Sequence, residues 1–277
     1  LYEATVKKGH SVHGTLPIYE DMSGTIVCYW GTTPHMPWQT SEYYAQQKAE
    51  LRPQAYQRLH ENKWVTSKSA FIKAEQWDAL TRVPVIWPWK HRSMPVYAAV
   101  DAAHKRDSVA VTLVGYHPLL GLVLLAHRIW EPTEDNPVIP EETAVPWLQE
   151  VAARWNLRAV FYDPAHFETA GYRLQNTLGR RHGMRVTEYT QTGDNLLAMG
   201  SQLYDVIRFG WLSVYDAPDL RTHTINARAK EGERGFRLTR GKLTRKIDGA
   251  ISLAMAVVAA LKYGPRDCRL GGGLSFI

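Results

Sequence analysis

Three apolar runs lie close together in the middle of the chain: VYAAVD at 96–101, SVAVTLVGY at 108–116 and GLVLLAHRIW at 121–130. Their Val- and Leu-rich composition reads as strand. A parallel pair needs a crossover of a dozen residues or more, so joins this short require an antiparallel meander. A helix follows over 143–156, with Thr143 in the N-cap position and Pro146 in the first turn, where its missing N–H costs nothing. A strand at 158–163, a helix through ETAGYRLQNTLGRR and a strand through MRVTEYT come next. A helix over 195–209 ends before Gly210, and a helix-like APDLRTHTINARA precedes GFRLTRGKLTRK, read as a hairpin turning at Gly241. A last helix covers 247–262. The order βββαβαβα predicts an α/β fold with a mixed sheet, antiparallel in its first three strands and parallel thereafter, flanked by helices.

Residues 1–90 have a different texture. Six of the ten tryptophans and six prolines precede Pro95, in stretches such as YWGTTPHMPW. Short helices are expected over 40–59, interrupted at Pro53, and over 73–80. An irregular Trp- and Pro-rich segment reads as a connector or the end of another domain, giving an expected division into 1–90 and 91–277. Cys28 and Cys268 are too far apart for a metal-spaced pair or a disulfide framework, and read as reduced thiols. The longest uncharged apolar stretch, ISLAMAVVAAL at 251–261, is too short to span a bilayer.

The charge is uneven. Between Arg221 and Lys246 nine basic residues face two acidic ones, a local +7 in a chain of net +6. A basic concentration of this kind is an electrostatic footprint for a polyanion; a solvated charged hairpin is the alternative. Arg234, Arg237, Arg240, Lys242, Arg245 and Lys246 are the expected phosphate contacts.

Three acids fall at element ends. Asp101 ends the first strand, Asp163 ends the fourth in FYDPAHFE, and Asp248 opens the last helix in KIDGAISLAMA. If the first and fourth strands are neighbours, Asp101 and Asp163 leave the sheet at one edge, and the last helix brings Asp248 to them. Each acid also has an ordinary use, as a strand-ending turn residue or a partner for a helix dipole. Converging carboxylates repel unless cations are present. Hard oxygen donors suit Mg²⁺ or Mn²⁺, and two such ions about 4 Å apart support phosphodiester hydrolysis. Asp107 is a fourth ligand or an accessory acid, with capping as its alternative. His104, His166 and Glu168 lie near the acids in sequence and are lesser candidates.

VDAAHKRDSVAV, FYDPAHFE and KIDGAISLAMA resemble the three acidic motifs of the nuclease domain of tailed-phage large terminase subunits. LPIYEDMSG, MPWQTSEYYAQQKAELRPQAYQRLHENKWV and AFIKAEQWDA resemble the stretch linking the packaging ATPase to that nuclease. The resemblance implies an RNase H-like fold, with Asp101, Asp163 and Asp248 as catalytic metal ligands and Asp107 as an accessory acid. It implies a two-metal endonuclease that cuts concatemeric viral DNA during packaging, in the host cytoplasm and transiently at the procapsid portal. The implied partners are double-stranded DNA, the small terminase subunit and the portal, with no membrane. A phosphate-cradling G-x-x-x-x-G-K-[ST] loop is missing, so the ATPase core is not expected in this chain, which reads as a C-terminal portion starting at Leu1. The rival readings are a resolvase- or transposase-like nuclease and a non-catalytic module that grips DNA or docks on the portal.

Overall fold

The computed structural model describes residues 2–31, 36–63, 68–84, 93–102, 108–133, 136–180, 183–232, 234–241 and 245–265. The chain forms two compact units, 1–67 and 68–277.

The first unit opens with a π-helical turn at Glu3–Lys7, followed by an antiparallel sheet of β1 (His10–Ser11), β2 (Ile18–Glu20) and β3 (Val27–Tyr29). Two helices follow, α1 (Ser41–Glu50) and α2 (Pro53–Leu59), broken at Pro53 as expected. The Thr40 side chain accepts from the Tyr43 N–H and caps α1, while Pro53 occupies the first turn of α2. Among the described residues, this unit contributes no apolar side chain to the buried core.

The second unit is built on a six-stranded sheet ordered β10-β7-β6-β5-β8-β9. Its strands are β5 (Val96–Ala102), β6 (Val109–His117), β7 (Gly121–Trp130), β8 (Leu157–Tyr162), β9 (Arg185–Glu188) and β10 (Leu212–Ser213). The first three form the antiparallel meander; β8 and β9 then add in parallel beside β5, and β10 lies parallel to β7. Only β6 therefore runs against the other five. The expected mixed sheet, antiparallel and then parallel, is the sheet observed.

Helices cover both faces. α4 (Ala144–Arg154) and α5 (Glu168–Leu174) pack on one face, against Val100, Val111, Leu125 and Val160. Thr143 precedes α4 but donates its hydroxyl to the Ile139 carbonyl and makes no side-chain cap. The opposite face carries α6 (Gly193–Arg208), α7 (Pro218–Asn226) and α8 (Asp248–Tyr263). Helix α8 is buried without a break from Asp248 to Ala260, as an apolar sequence on all sides requires. No described helix is long and apolar enough to cross a membrane.

A second sheet, β12-β11-β4, lies beside these helices. β4 (Lys68–Ala70) pairs with β11 (Ala227–Gly232), which forms a hairpin with β12 (Gly235–Arg240). This hairpin turns between Gly232 and Gly235, while the turn expected at Gly241 runs into residues 242–244, outside the described ones. Gly235 has φ +134°, a conformation closed to other residues, and this fixes the turn there.

The segment after β4 belongs to this second unit. Phe71, Ile72, Trp77 and Leu80 are buried in the core with α8, Trp77 on the short helix α3 (Ala74–Asp78). The two compact units thus meet at 67–68, whereas the sequence divides in texture near 90. Fully burying one such side chain contributes about 1.5–3 kcal/mol, against a net domain stability of only about 5–15 kcal/mol. A chain beginning at residue 68 is expected to unfold cooperatively on heating, monitored by circular dichroism, and one beginning at residue 91 to lose that transition. Equal melting of the two would put the boundary back near 90.

Candidate functional site

The two parallel strands β5 and β8 place the first two acids. Val100 lies opposite Tyr162 in their register, so Asp101 on β5 and Asp163 just beyond β8 reach the same sheet edge. β7 and β9 end there as well, at Trp130 and Glu188. Ser108 sits at this edge where β6 begins. This is the carboxyl edge of every strand but β6, the side on which sheets of this type place their sites.

Asp101 and Asp248 are 7% and 2% exposed, so both acids are buried. Gln191, just past β9, donates from Nε2 to Asp101 Oδ1 at 2.8 Å. Burial above all, and the Asp248 charge after it, pushes the Asp101 carboxyl up to about 8. The Gln191 hydrogen bond opposes that rise, Asp163 adds to it, and Arg240 offsets part of it. Two of the sequence-predicted aspartates, Asp248 and Asp163, therefore act electrostatically on the third. Asp163 is half-buried and accepts from the Ala165 N–H at 3.2 Å, capping a one-turn 3₁₀ helix at Pro164–His166.

Asp248, the first residue of α8, has a partner on each oxygen. Ser108 donates from Oγ to Oδ2 at 2.6 Å, and Arg240 donates from Nη2 to Oδ1 at 2.8 Å. The helix start itself is held by His223 on α7, whose Nδ1 accepts from the Gly249 N–H at 3.0 Å. Burial lowers the His223 pKa, favouring the neutral ring this bond needs. Gly249 permits a close approach: a Cβ there would lie 2.9 Å from Ile129 Cδ1 and 3.2 Å from His223 Nδ1. Glu131, after β7, reaches Lys246 Nζ at 3.4 Å and His223 Nε2 at 3.8 Å.

The remaining predicted residues are dispersed. His166 and Glu168 are exposed, the latter at the start of α5. Arg234, Arg237 and Arg245 are exposed, and Arg234 lies 3.9 Å from Asp194. Arg240 points inward to Asp248. His104, Asp107 and Lys242 lie outside the described residues. Among the described residues, no three His, Cys, Asp or Glu side chains close into a ready metal-binding group.

Ser108, Gln191, His223 and Glu131 are site residues that the sequence reading missed. Ser108 adjoins a candidate acid, and Gln191 and Glu131 follow strand ends, so each had a positional signal. His223 had none. The donor set suits a hard divalent cation: three carboxylates at one edge, two of them buried, with one driven above the usual carboxylate range by burial and by its acidic neighbours.

No protein-family model and no curated protein sequence matches the chain. Solved structures do. The HK97 bacteriophage large terminase matches with a TM-score of 0.59 and 18% identity, over 80% of this chain and 51% of that one. The large terminase nuclease domain of Thermus phage P74-26 matches at 0.52 and 13% identity, over 75% of this chain and 100% of that one. The large terminase nuclease of thermophilic phage G20c matches at 0.50 and 14%, over 66% and 95%. The chain therefore has the RNase H-like fold of phage large terminase nuclease domains. It spans about half the length of the HK97 protein, 51%.

A carboxyl that titrates near 8 when folded and near 4 when unfolded binds more protons in the native state between those values. Stability from Asp101 is then fully present below about pH 4 and lost as pH rises through about 8. In chelator, urea unfolding should give a stability that falls from pH 5 to pH 9 by a few kcal/mol. Asp101→Asn should flatten that slope; an unchanged slope would remove Asp101 as its source.

Proposed function

We propose that the chain is the nuclease portion of a phage large terminase, a divalent-metal-dependent endonuclease that cuts concatemeric viral DNA during packaging. The observation that carries this reading is the meeting of Asp101, Asp163 and Asp248 at the carboxyl edge of an RNase H-like sheet. Asp101, Asp163 and Asp248 would hold Mg²⁺ or Mn²⁺, with Asp107 as the accessory acid. When bound, the ions supply charge neutralisation at the phosphate and activation of water.

The chain's own groups do the positioning. Gln191 orients Asp101, Ser108 orients Asp248, and His223 fixes the first turn of α8. Arg234, Arg237, Arg245 and Lys246, with Lys242, meet backbone phosphates and read little sequence, as suits cutting at many sites. In this reading the first unit is the tail of the motor domain or its linker. The small subunit and portal are its partners, in the host cytoplasm and at the procapsid. Asp248, with both oxygens bonded within the protein, favours the rival reading of a DNA-gripping module without catalysis.

Nicking of supercoiled plasmid separates the two. Cleavage should require Mg²⁺ or Mn²⁺ and stop in EDTA. Asp163→Ala should slow it by at least about 100-fold, the scale on which single electrostatic groups act. Cutting at the parent rate would remove Asp163 from the site, and no cutting in either metal would favour the gripping module. DNA affinity should fall steeply with salt, and Arg237→Ala should reduce the log–log slope by about 1. A salt-independent affinity would take the hairpin out of the reading.

A further inference from the structure

The basic residues of the hairpin do not share one role. Strand β12 alternates: Phe236 and Leu238 are buried in the core, while Arg237 between them is exposed. Arg240 has the parity of Phe236 and Leu238, so it continues the inward face and reaches Asp248 Oδ1 at 2.8 Å. Its side chain is nevertheless 29% exposed, against 3% for the Asp248 side chain. One end of this ion pair is thus sealed in the core and the other is open to solvent.

A guanidinium bonded to a carboxylate repels a dication approaching the same group. Arg240 and a divalent ion therefore compete for Asp248. A phosphate offers the guanidinium a forked, charge-assisted partner at least as good as the carboxylate. We propose that Arg240 is an exchangeable gate: it holds Asp248 until a DNA phosphate takes its guanidinium, so that DNA engagement and divalent-ion binding are coupled. Ser108 stays on Oδ2 throughout and keeps the carboxylate oriented while Arg240 leaves. The inference rests on the metal-dependent nuclease reading and adds to it an order of events: the charge that blocks the ion is removed by the substrate.

Coupling of this kind is reciprocal, so DNA must tighten the ion by the same factor by which the ion tightens DNA. The test is calorimetric titration of Mn²⁺ into the parent chain, Arg240→Ala and Lys230→Ala, alone and with a short phosphorothioate duplex. Lys230 is an exposed residue of the same hairpin and gives the same change of charge. The parent should bind Mn²⁺ about 5- to 150-fold more tightly with DNA. Arg240→Ala should show the tighter affinity without DNA and gain nothing when DNA is added, while Lys230→Ala should behave as the parent does. Arg240→Gln, which keeps a donor without the charge, gives the same readout should the alanine variant lose its fold by circular dichroism. Equal DNA-free Mn²⁺ affinity in the parent and Arg240→Ala sinks the gate and leaves the metal site standing, as does a DNA-free affinity in Lys230→Ala as tight as that of Arg240→Ala. No Mn²⁺ binding by any variant, with or without DNA, ends the metal reading and the gate with it.

Discussion

The parallel pairing of β5 with β8 is the contact on which the rest of the site depends. An antiparallel partner in the same place would have put Asp163 at the far edge from Asp101. The pairing becomes possible because α4 carries the chain back across one face of the sheet before β8 begins. Burial of α8 across the opposite face then brings Asp248 to the same edge. A register slip of one residue would turn Asp101 to the other face, and the continuous burial of β5 on both faces opposes such a slip.

Grouping these acids has an electrostatic cost, met by a small set of specific donors. Buried carboxylates need partners, and here Gln191, Ser108 and Arg240 provide them from three different elements. The arrangement is asymmetric. Asp248 is neutralised by a guanidinium, Asp163 keeps access to solvent, and Asp101, deeply buried, has an amide as its donor among the described residues and is raised chiefly by that burial. A site balanced in this way responds strongly to any added cation, and charge distributed so unevenly is a common mark of chemistry.

Much of this was legible in the sequence because strand periodicity and strand length are local signals. The Val-rich runs announced the meander, and the short joins announced its sense. Asp101 and Asp163 were visible as acids at the ends of apolar runs. The hairpin of β11 and β12 was not foreseen, because Gly241 stands out over Gly232 and Gly235, the pair that closes it. The alternation in FRLTR carried the inward direction of Arg240 but was overshadowed by the charge count of the surrounding segment. The segment 68–84 could not be assigned locally. β4 has three residues and is a strand only because β11, distant in sequence, pairs with it. Its buried aromatics lie in a stretch too short to show a period. Thr143 occupied the expected cap position yet turned its hydroxyl to Ile139, a choice between neighbouring acceptors that no sequence pattern expresses.

The unbroken burial of α8 also bears on how the molecule is made. This helix lies after every described strand, so a chain leaving the ribosome presents the six-stranded sheet before the helix that covers it. Until α8 emerges, the face formed by Tyr97, Ala99, Val114 and Leu124 lacks its largest cover. Over the same interval Asp101 and Asp163 can be side by side without Asp248. At that stage the face has no cover from α8 and the acidic edge lacks Asp248. Synthesis of one apolar helix closes both gaps in a single step, tying completion of the site to completion of the core.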